Sequence, residues 1–156
     1  MGENYIYGLP TLQQRTLQKK NIMTDKEKLL ASQSNALPYR ANLTGANYEK
    51  ENLEGAYLDN VNLEGANLTE ANLLFANLKG SNLLGANLTR SNLSLAHFEG
   101  ANLTGANLEG ACLIGAYLEG ACLKNTNLSG ANLTGAHLEG VELTCEQHIQ
   151  TYGKFK

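Results

Sequence analysis

The central part of the chain repeats a unit of five residues 21 times without a gap, from Ala41 to Cys145. The third residue of each unit, called the centre below, is Leu in 19 units, and Tyr48 and Phe98 are the exceptions. Ala stands two positions before the centre in 15 units, Asn one position before it in 14, and Gly two positions after it in 13. This regularity restricts the fold more than any other feature of the sequence.

Neither a helix nor a continuous strand can accommodate a period of five. An α-helix turns about 100° per residue, so the leucines would be spread around its circumference and form no apolar stripe. In a strand, an odd period would send successive leucines to opposite faces. A short extended segment followed by a turn satisfies the pattern, because residues two apart then point the same way and Gly provides the corner. The sequence therefore predicts a chain that coils with Ala and Leu inside.

Substitutions within the repeat indicate how many units form one coil. Seven units lack Asn before the centre, and four of the replacing residues belong to one series spaced by 20: Tyr57, His97, Tyr117 and His137. The residues after the centres of that series are Asp59, Lys79, Glu99, Glu119 and Glu139, and four of these five are acidic. A period of 20 predicts four units per coil and a square cross-section. Side chains 20 apart would stack at about 4.8 Å, the spacing of paired strands.

Tandem A(N/D)LXX units, such as Ala41-Asn42-Leu43-Thr44-Gly45, are the signature of the pentapeptide repeat family. The chain resembles this family over about two thirds of its length. The resemblance implies an all-β solenoid in the form of a right-handed quadrilateral β-helix, and the handedness follows from the resemblance alone. The number of units predicts about five coils, and we expect short capping helices at both ends.

The segments outside the repeat are predicted to close its two ends. Thr24 and Glu27 have capping-box spacing, which predicts a helix near 25–33 within the N-terminal flank 1–40. Thr144 and Gln147 have the same spacing at the end of the β-helix 41–145, which predicts a second capping helix within 146–156. These helices would cover the leucines and the unpaired backbone edges of the first and last coils. For residues 1–23, a short helix and a free tail both remain open.

Charge and cysteine content bear on partners and on the compartment. Residues 1–40 contain six basic and three acidic side chains, whereas residues 41–145 contain four basic and eleven acidic ones. A solvated acidic surface and a basic flank folded back onto it both fit this pattern. The three cysteines match no disulfide framework or metal motif, and whether Cys122 approaches Cys145 stays open. With no long apolar run near Met1, we expect a cytoplasmic protein without membrane contact.

The first candidate partner-binding surface is the side with the substituted series. Tyr is enriched at binding hot spots, and stacked coils hold such side chains at a fixed spacing. Stacking for stability alone is the alternative. His97 and His137 are two coils apart, about 10 Å, and therefore predict no shared metal site. The candidate residues on this side are Tyr57, His97, Tyr117, His137, Glu99 and Glu119.

A second candidate surface is apolar. Residues after the centre should face solvent, yet several of them and their neighbours are apolar on one side in successive coils. Coverage by residues 1–23, a protein partner and a self-interface are three alternatives for this patch. Its residues are Leu74, Phe75, Leu95 and Ile114.

The sequence predicts a non-enzyme with no catalytic, cofactor or metal site. No Cys/His or Ser/His pair falls on neighbouring positions, and a convex rod offers no concave pocket. The first functional hypothesis is a protein-interaction or scaffold module that presents a rigid patterned surface to an unknown protein partner, with a homodimer left open. The bacterial and cyanobacterial proteins that the chain resembles include regulators that act through protein binding.

The second hypothesis comes from the quinolone-resistance branch of the same family, whose members protect or inhibit DNA gyrase by DNA mimicry. The chain departs from that branch, because no unit has Asp before its centre and its net charge is modest. We expect no nucleic-acid partner. A purely structural spacer is the third hypothesis.

Overall fold

A computed structural model describes residues 5–6, 9–10, 41–143 and 147. Strands β1 (Tyr5–Ile6) and β2 (Leu9–Pro10) form a short antiparallel pair in the register Tyr5↔Pro10 and Ile6↔Leu9. The helix predicted near 25–33 lies outside the described residues.

The repeat forms a coil of four units, as the sequence predicts. Isolated parallel bridges pair each residue before a centre with the residue 20 positions later, from Asn42↔Asn62 to Tyr117↔His137. Each coil is therefore hydrogen-bonded to the next along every side. The N–H of Leu83 donates to the carbonyl of Asn102 at 2.7 Å, and the N–H of Asn102 donates back to the carbonyl of Ser81 at 2.9 Å. Such paired bonds satisfy backbone groups that burial would otherwise leave unpartnered.

The corners are tight turns closed by one hydrogen bond. For example, the N–H of Ala86 donates to the carbonyl of Leu83 at 3.0 Å. The residue two positions after each centre has a positive φ in all 20 described units, and it is Gly in 13 of them. A positive φ confined to the third of four turn residues is the pattern of a type II turn, which explains why Gly recurs at this position. The other seven corners have a residue with a Cβ.

The interior is filled by the centres and by the residues two positions before them. From Leu63 to Leu113 every centre is completely buried, and Phe98 takes the place of Leu without becoming exposed. Where Ser81 replaces Ala, its hydroxyl is buried and donates to the carbonyl of Leu78 at 2.6 Å. Glu51 is an exception: it stands at the position that Ala occupies in most units, yet it is exposed in the first coil. Burial of an unpaired carboxylate is costly, and a residue in the first coil can avoid that cost by remaining in contact with solvent.

The asparagines before the centres form ladders along the solenoid. The side-chain amide of Asn82 donates to Oδ1 of Asn62 at 3.0 Å, and Asn102 donates to Asn82 at 3.1 Å. Oδ1 of Asn82 also accepts from the N–H of Leu84 at 3.3 Å. Each amide thus connects adjacent coils and stabilises the turn that follows it.

One described residue lies beyond Leu143. Gln147 has helical backbone conformation and is 3% exposed. Its Nε2 atom donates to the carbonyls of Leu123 at 2.6 Å and Thr126 at 3.1 Å, so its side chain packs on the end of the repeat. Except for Gln147, the capping helix predicted within 146–156 lies outside the described residues.

Candidate functional site

The substituted series forms a stack of rings on one side of the solenoid. The ring of Tyr117 lies between those of His97, at a centroid distance of 4.5 Å, and His137, at 4.7 Å. The rings are almost parallel, with interplanar angles of 6° and 9°. Asn77 stands between Tyr57 and His97, so Tyr57 lies on the same side but outside the stack, and it is 48% exposed. The name ring stack below refers to His97, Tyr117 and His137.

The ring stack borders a column of charged side chains. Oε1 of Glu99 lies 2.9 Å from Nζ of Lys79 in the coil below and 3.1 Å from Nδ1 of His97 in its own coil. Partial burial raises the pKa of Glu99, but the hydrogen bonds from Lys79 and His97 together outweigh it, and the pKa lies below its usual value. Glu99 is therefore held as a carboxylate at neutral pH.

The next carboxylates in the column have a different environment. Ligand atoms of Glu119, His137 and Glu139 all lie within 4.8 Å of one another. Oε2 of Glu119, like Oε2 of Glu99, is buried and has no hydrogen-bond partner in the part of the chain that the structure describes, but no lysine contacts Glu119 there. The sequence predicted that His97 and His137 are too far apart to share a metal, and the intervening Tyr117 ring agrees with that distance. A cluster with one histidine was not predicted.

The second surface predicted from the sequence is an apolar corner, a name used below for Leu74, Phe75, Leu95 and Ile114. Phe75 is 53% exposed, Ile114 43% and Leu95 37%, while Leu74 is half-buried. Phe75 and Leu95 occupy the same corner in adjacent coils, where their φ angles are 59° and 55°. The side chain of Leu95 extends over Gly115 in the next coil, since its Cδ2 lies 2.8 Å from the place of a Cβ there.

The two candidate surfaces are continuous. Phe75 is the last residue of one unit. The next unit begins at Ala76 and contains Asn77 and Lys79, so it belongs to the side of the ring stack. The apolar corner therefore lies at the edge between the side that carries Leu74 and Ile114 and the side that carries the ring stack. The two surfaces were predicted from the sequence as separate, although the order of the units is enough to show that they meet at residues 75 and 95.

Two cysteines take the place of Asn in the ladders. Sγ of Cys112 lies 3.2 Å from Oγ of Ser94, and Sγ of Cys122 lies 3.2 Å from Oγ1 of Thr104. Both are free thiols. The hydrogen bond with Thr104, followed by that from the backbone N–H of Lys124, lowers the pKa of the exposed Cys122.

Comparisons with known proteins agree with the repeat geometry. The family profile described as Pentapeptide repeats matches eight copies, at residues 39–73, 71–110, 81–120 and 111–144. No curated protein sequence matches the chain significantly. Neither the family profile nor the structural relatives indicate a catalytic family. In the described part of the chain, no helix has the length and apolar character needed to cross a membrane.

Several solved structures are similar to this chain. A pentapeptide repeat protein, Rfr23, from the cyanobacterium Cyanothece 51142 is 40% identical over 67% of this chain and 81% of its own, with a TM-score of 0.54. A pentapeptide repeat protein from the thylakoid lumen of Arabidopsis thaliana is 31% identical over 72% and 76%, with a TM-score of 0.48. QnrB1, a plasmid-mediated fluoroquinolone resistance protein, is 22% identical over 69% and 60%, with a TM-score of 0.33.

Proposed function

The chain belongs to the pentapeptide repeat family, and from this premise we propose that it is a non-catalytic interaction module that binds a protein partner through the apolar corner and the adjoining ring stack. In this proposal the β-helix is right-handed, has about five coils and is closed by short helices. Its role is to hold the contact residues at fixed spacing, so that little side-chain entropy remains to be lost on binding.

The observation that carries the proposal is the choice of residues at the corner shared by Phe75 and Leu95. A positive φ costs a residue with a Cβ roughly 1–2 kcal/mol relative to Gly. Phe75 is 53% exposed and Leu95 37%, so burial of these side chains offsets only part of that cost. Five other described corners also have a residue with a Cβ, and Lys50, Glu70 and Arg90 share one corner in three consecutive coils, but those residues are polar or charged. Phe75 and Leu95 instead combine a positive φ with a large, partly exposed apolar side chain, and strain that the fold does not require is typical of functional positions.

The chemistry of the surface defines the partner that it fits. Phe75, Leu95 and Ile114 offer an apolar contact of three side chains, and the edges of the stacked rings of His97 and Tyr117 add aromatic surface beside it. Glu119 and Glu139 contribute negative charge at the far edge of the same side. We infer a partner with an apolar anchor flanked by basic side chains, because oppositely charged rims guide docking and set its orientation.

The experiment compares partner capture by matched variants of the full chain. The wild-type chain and the double variant Phe75→Gly/Leu95→Gly are used to isolate binding proteins from the native host, which are identified by mass spectrometry. Leu84 is 37% exposed, like Leu95, but belongs to a different side, so Leu84→Thr is the control. We expect a protein captured by the wild type and by Leu84→Thr to be lost with the double variant.

The ring stack is tested separately with Tyr117→Asn, which restores the repeat consensus at the middle ring. Capture that is undiminished in both the double variant and Tyr117→Asn, with unchanged melting temperatures, would contradict the proposal. Capture of DNA gyrase would instead support the alternative of a gyrase-binding protein. The acidic repeat is compatible with that alternative, but no observation favours it.

A further inference from the structure

Two sets of three residues occupy equivalent positions in the repeat, 40 residues apart. Lys79, His97 and Glu99 form the first set, and Glu119, His137 and Glu139 form the second. In each set, the histidine and its neighbouring glutamate lie in one coil and the remaining residue lies in the coil below. The backbone geometry is thus shared, and the sets differ in one side chain, where Glu119 replaces Lys79.

The first set contains its own cation. The ammonium group of Lys79 lies 2.9 Å from Oε1 of Glu99, which also contacts Nδ1 of His97 at 3.1 Å. An ammonium group and an imidazole therefore converge on a single carboxylate oxygen. This arrangement balances the negative charge of Glu99 within the protein.

The second set contains an excess of acidic groups. The ligand atoms of Glu119, His137 and Glu139 lie within 4.8 Å of one another, and two of the three groups are carboxylates. Among the residues that the structure describes, no Lys or Arg forms an ion pair with either carboxylate. Two adjacent carboxylates repel each other, and a cation between them would remove that repulsion.

We propose that Glu119, His137 and Glu139 bind a divalent transition-metal ion. Imidazole together with carboxylates suits zinc and its neighbours better than magnesium or calcium, which require a shell of oxygen ligands. Ligands at about 2.0–2.2 Å from a zinc ion are roughly 3.4 Å apart, so the cluster needs only small side-chain rotations to close. His137 and Glu139 are exposed and free to make them, while stacking on Tyr117 orients the His137 ring.

Three protein ligands would leave an open position on the metal. In zinc proteins such a position holds water or a group from another molecule. Here it would face outward beside the ring stack, since His137 and Glu139 are exposed. The site goes beyond the proposed interaction function and does not depend on it.

Zinc titration of the full chain by isothermal calorimetry tests the proposal. In Glu119→Lys, the second set acquires the composition of the first, so we expect Zn²⁺ binding to weaken by roughly tenfold or more. In Lys79→Glu, the first set acquires the composition of the second, so we expect one additional equivalent of Zn²⁺ to bind. All variants keep the three cysteines, so thiolate binding is common to them and cancels in the comparison.

Thermal melts establish that each variant is folded, and Mg²⁺ is the control ion. A wild-type isotherm that matches that of Glu119→Lys would overturn the proposal, as would a Lys79→Glu isotherm without additional binding. Mg²⁺ binding as tight as Zn²⁺ binding would contradict the assignment of a site that uses the imidazole of His137.

Discussion

Nζ of Lys79 lies 2.9 Å from Oε1 of Glu99, although 20 residues separate them, because the two residues occupy the same position in consecutive coils. Such a column places every side chain directly above the one 20 positions earlier. The identity of one residue therefore decides whether its neighbours in the column have a balanced charge. Glu99 therefore contacts a lysine in the coil below it. Glu119, by contrast, itself occupies the position that this lysine has two coils earlier.

The Lys79–Glu99 contact predicts a pH-dependent contribution to stability. The pKa of Glu99 is lowered from 4.5, so its contribution is fully present above that pH and is lost as the pH falls through the lower folded-state value. For this partly exposed pair, Glu99→Gln should lower the free energy of unfolding by about 0.2–1 kcal/mol at pH 7. Urea unfolding at neutral and at strongly acidic pH measures the difference, which should vanish in acid.

Glu109→Gln is the control for the Glu99 experiment, because Glu109 is exposed at the equivalent position on another side. It should have a smaller effect at pH 7. A Glu99→Gln effect that is the same at both pH values would contradict the assignment of the ion pair.

Two adjacent apolar residues, one pointing inward and one outward, test which positions of the repeat form the core. Leu113 is completely buried, whereas Ile114 is 43% exposed. Leu113→Ala should cost about 2–5 kcal/mol, because it removes buried methyl groups and leaves a cavity. Ile114→Ala should cost under about 0.5 kcal/mol. Equilibrium unfolding of both variants is the measurement, and similar losses would show that the inside and outside positions are wrongly assigned.

The sequence predicted the backbone of the repeat well, because the period of five leaves few alternatives. The inward position of Leu113, the Asn ladders and the four-unit coil all follow from that period. Glu51 stands where most units have the inward Ala but is exposed, since a rule for interior coils need not hold in a first coil. Ring stacking was predicted from the 20-residue series, but the cluster at Glu119 was not. Its detection requires knowing which way a carboxylate turns, and the position in the repeat does not determine that rotamer.

Gln147 provides a test of how the end of the repeat is stabilised. Its buried amide donates to the carbonyls of Leu123 and Thr126. Gln147→Ala would remove both donors, and we expect a loss of about 1–3 kcal/mol in the free energy of unfolding. Gln147→Glu has the same shape but directs carboxylate oxygens at the two carbonyls, so at neutral pH it should be at least as destabilising. Stability unchanged in both variants would show that these bonds do not hold the end of the solenoid.

The two described cysteines should differ in reactivity. The hydrogen bonds from Thr104 and from the backbone of Lys124 lower the pKa of Cys122, which is also exposed, whereas Cys112 is half-buried. Because the thiolate is the nucleophile, iodoacetamide at neutral pH should modify Cys122 faster than Cys112. Peptide mass spectrometry measures the two rates. Thr104→Val should slow the reaction of Cys122, and an unchanged rate would rule out the hydroxyl as the cause.

The last prediction separates a binding role of the apolar corner from a role in stability. Phe75→Gly and Leu95→Gly each place the consensus residue at a corner with positive φ and remove an exposed apolar side chain. Relief of the backbone strain opposes the loss of local contacts, so the free energy of unfolding should stay the same or rise by up to about 1 kcal/mol per substitution. Chemical unfolding measures this, with Leu84→Thr as the control on another side. If instead either glycine variant loses more than about 1 kcal/mol, the two side chains contribute to folding through their packing, and the departure from Gly at this corner no longer indicates a binding surface.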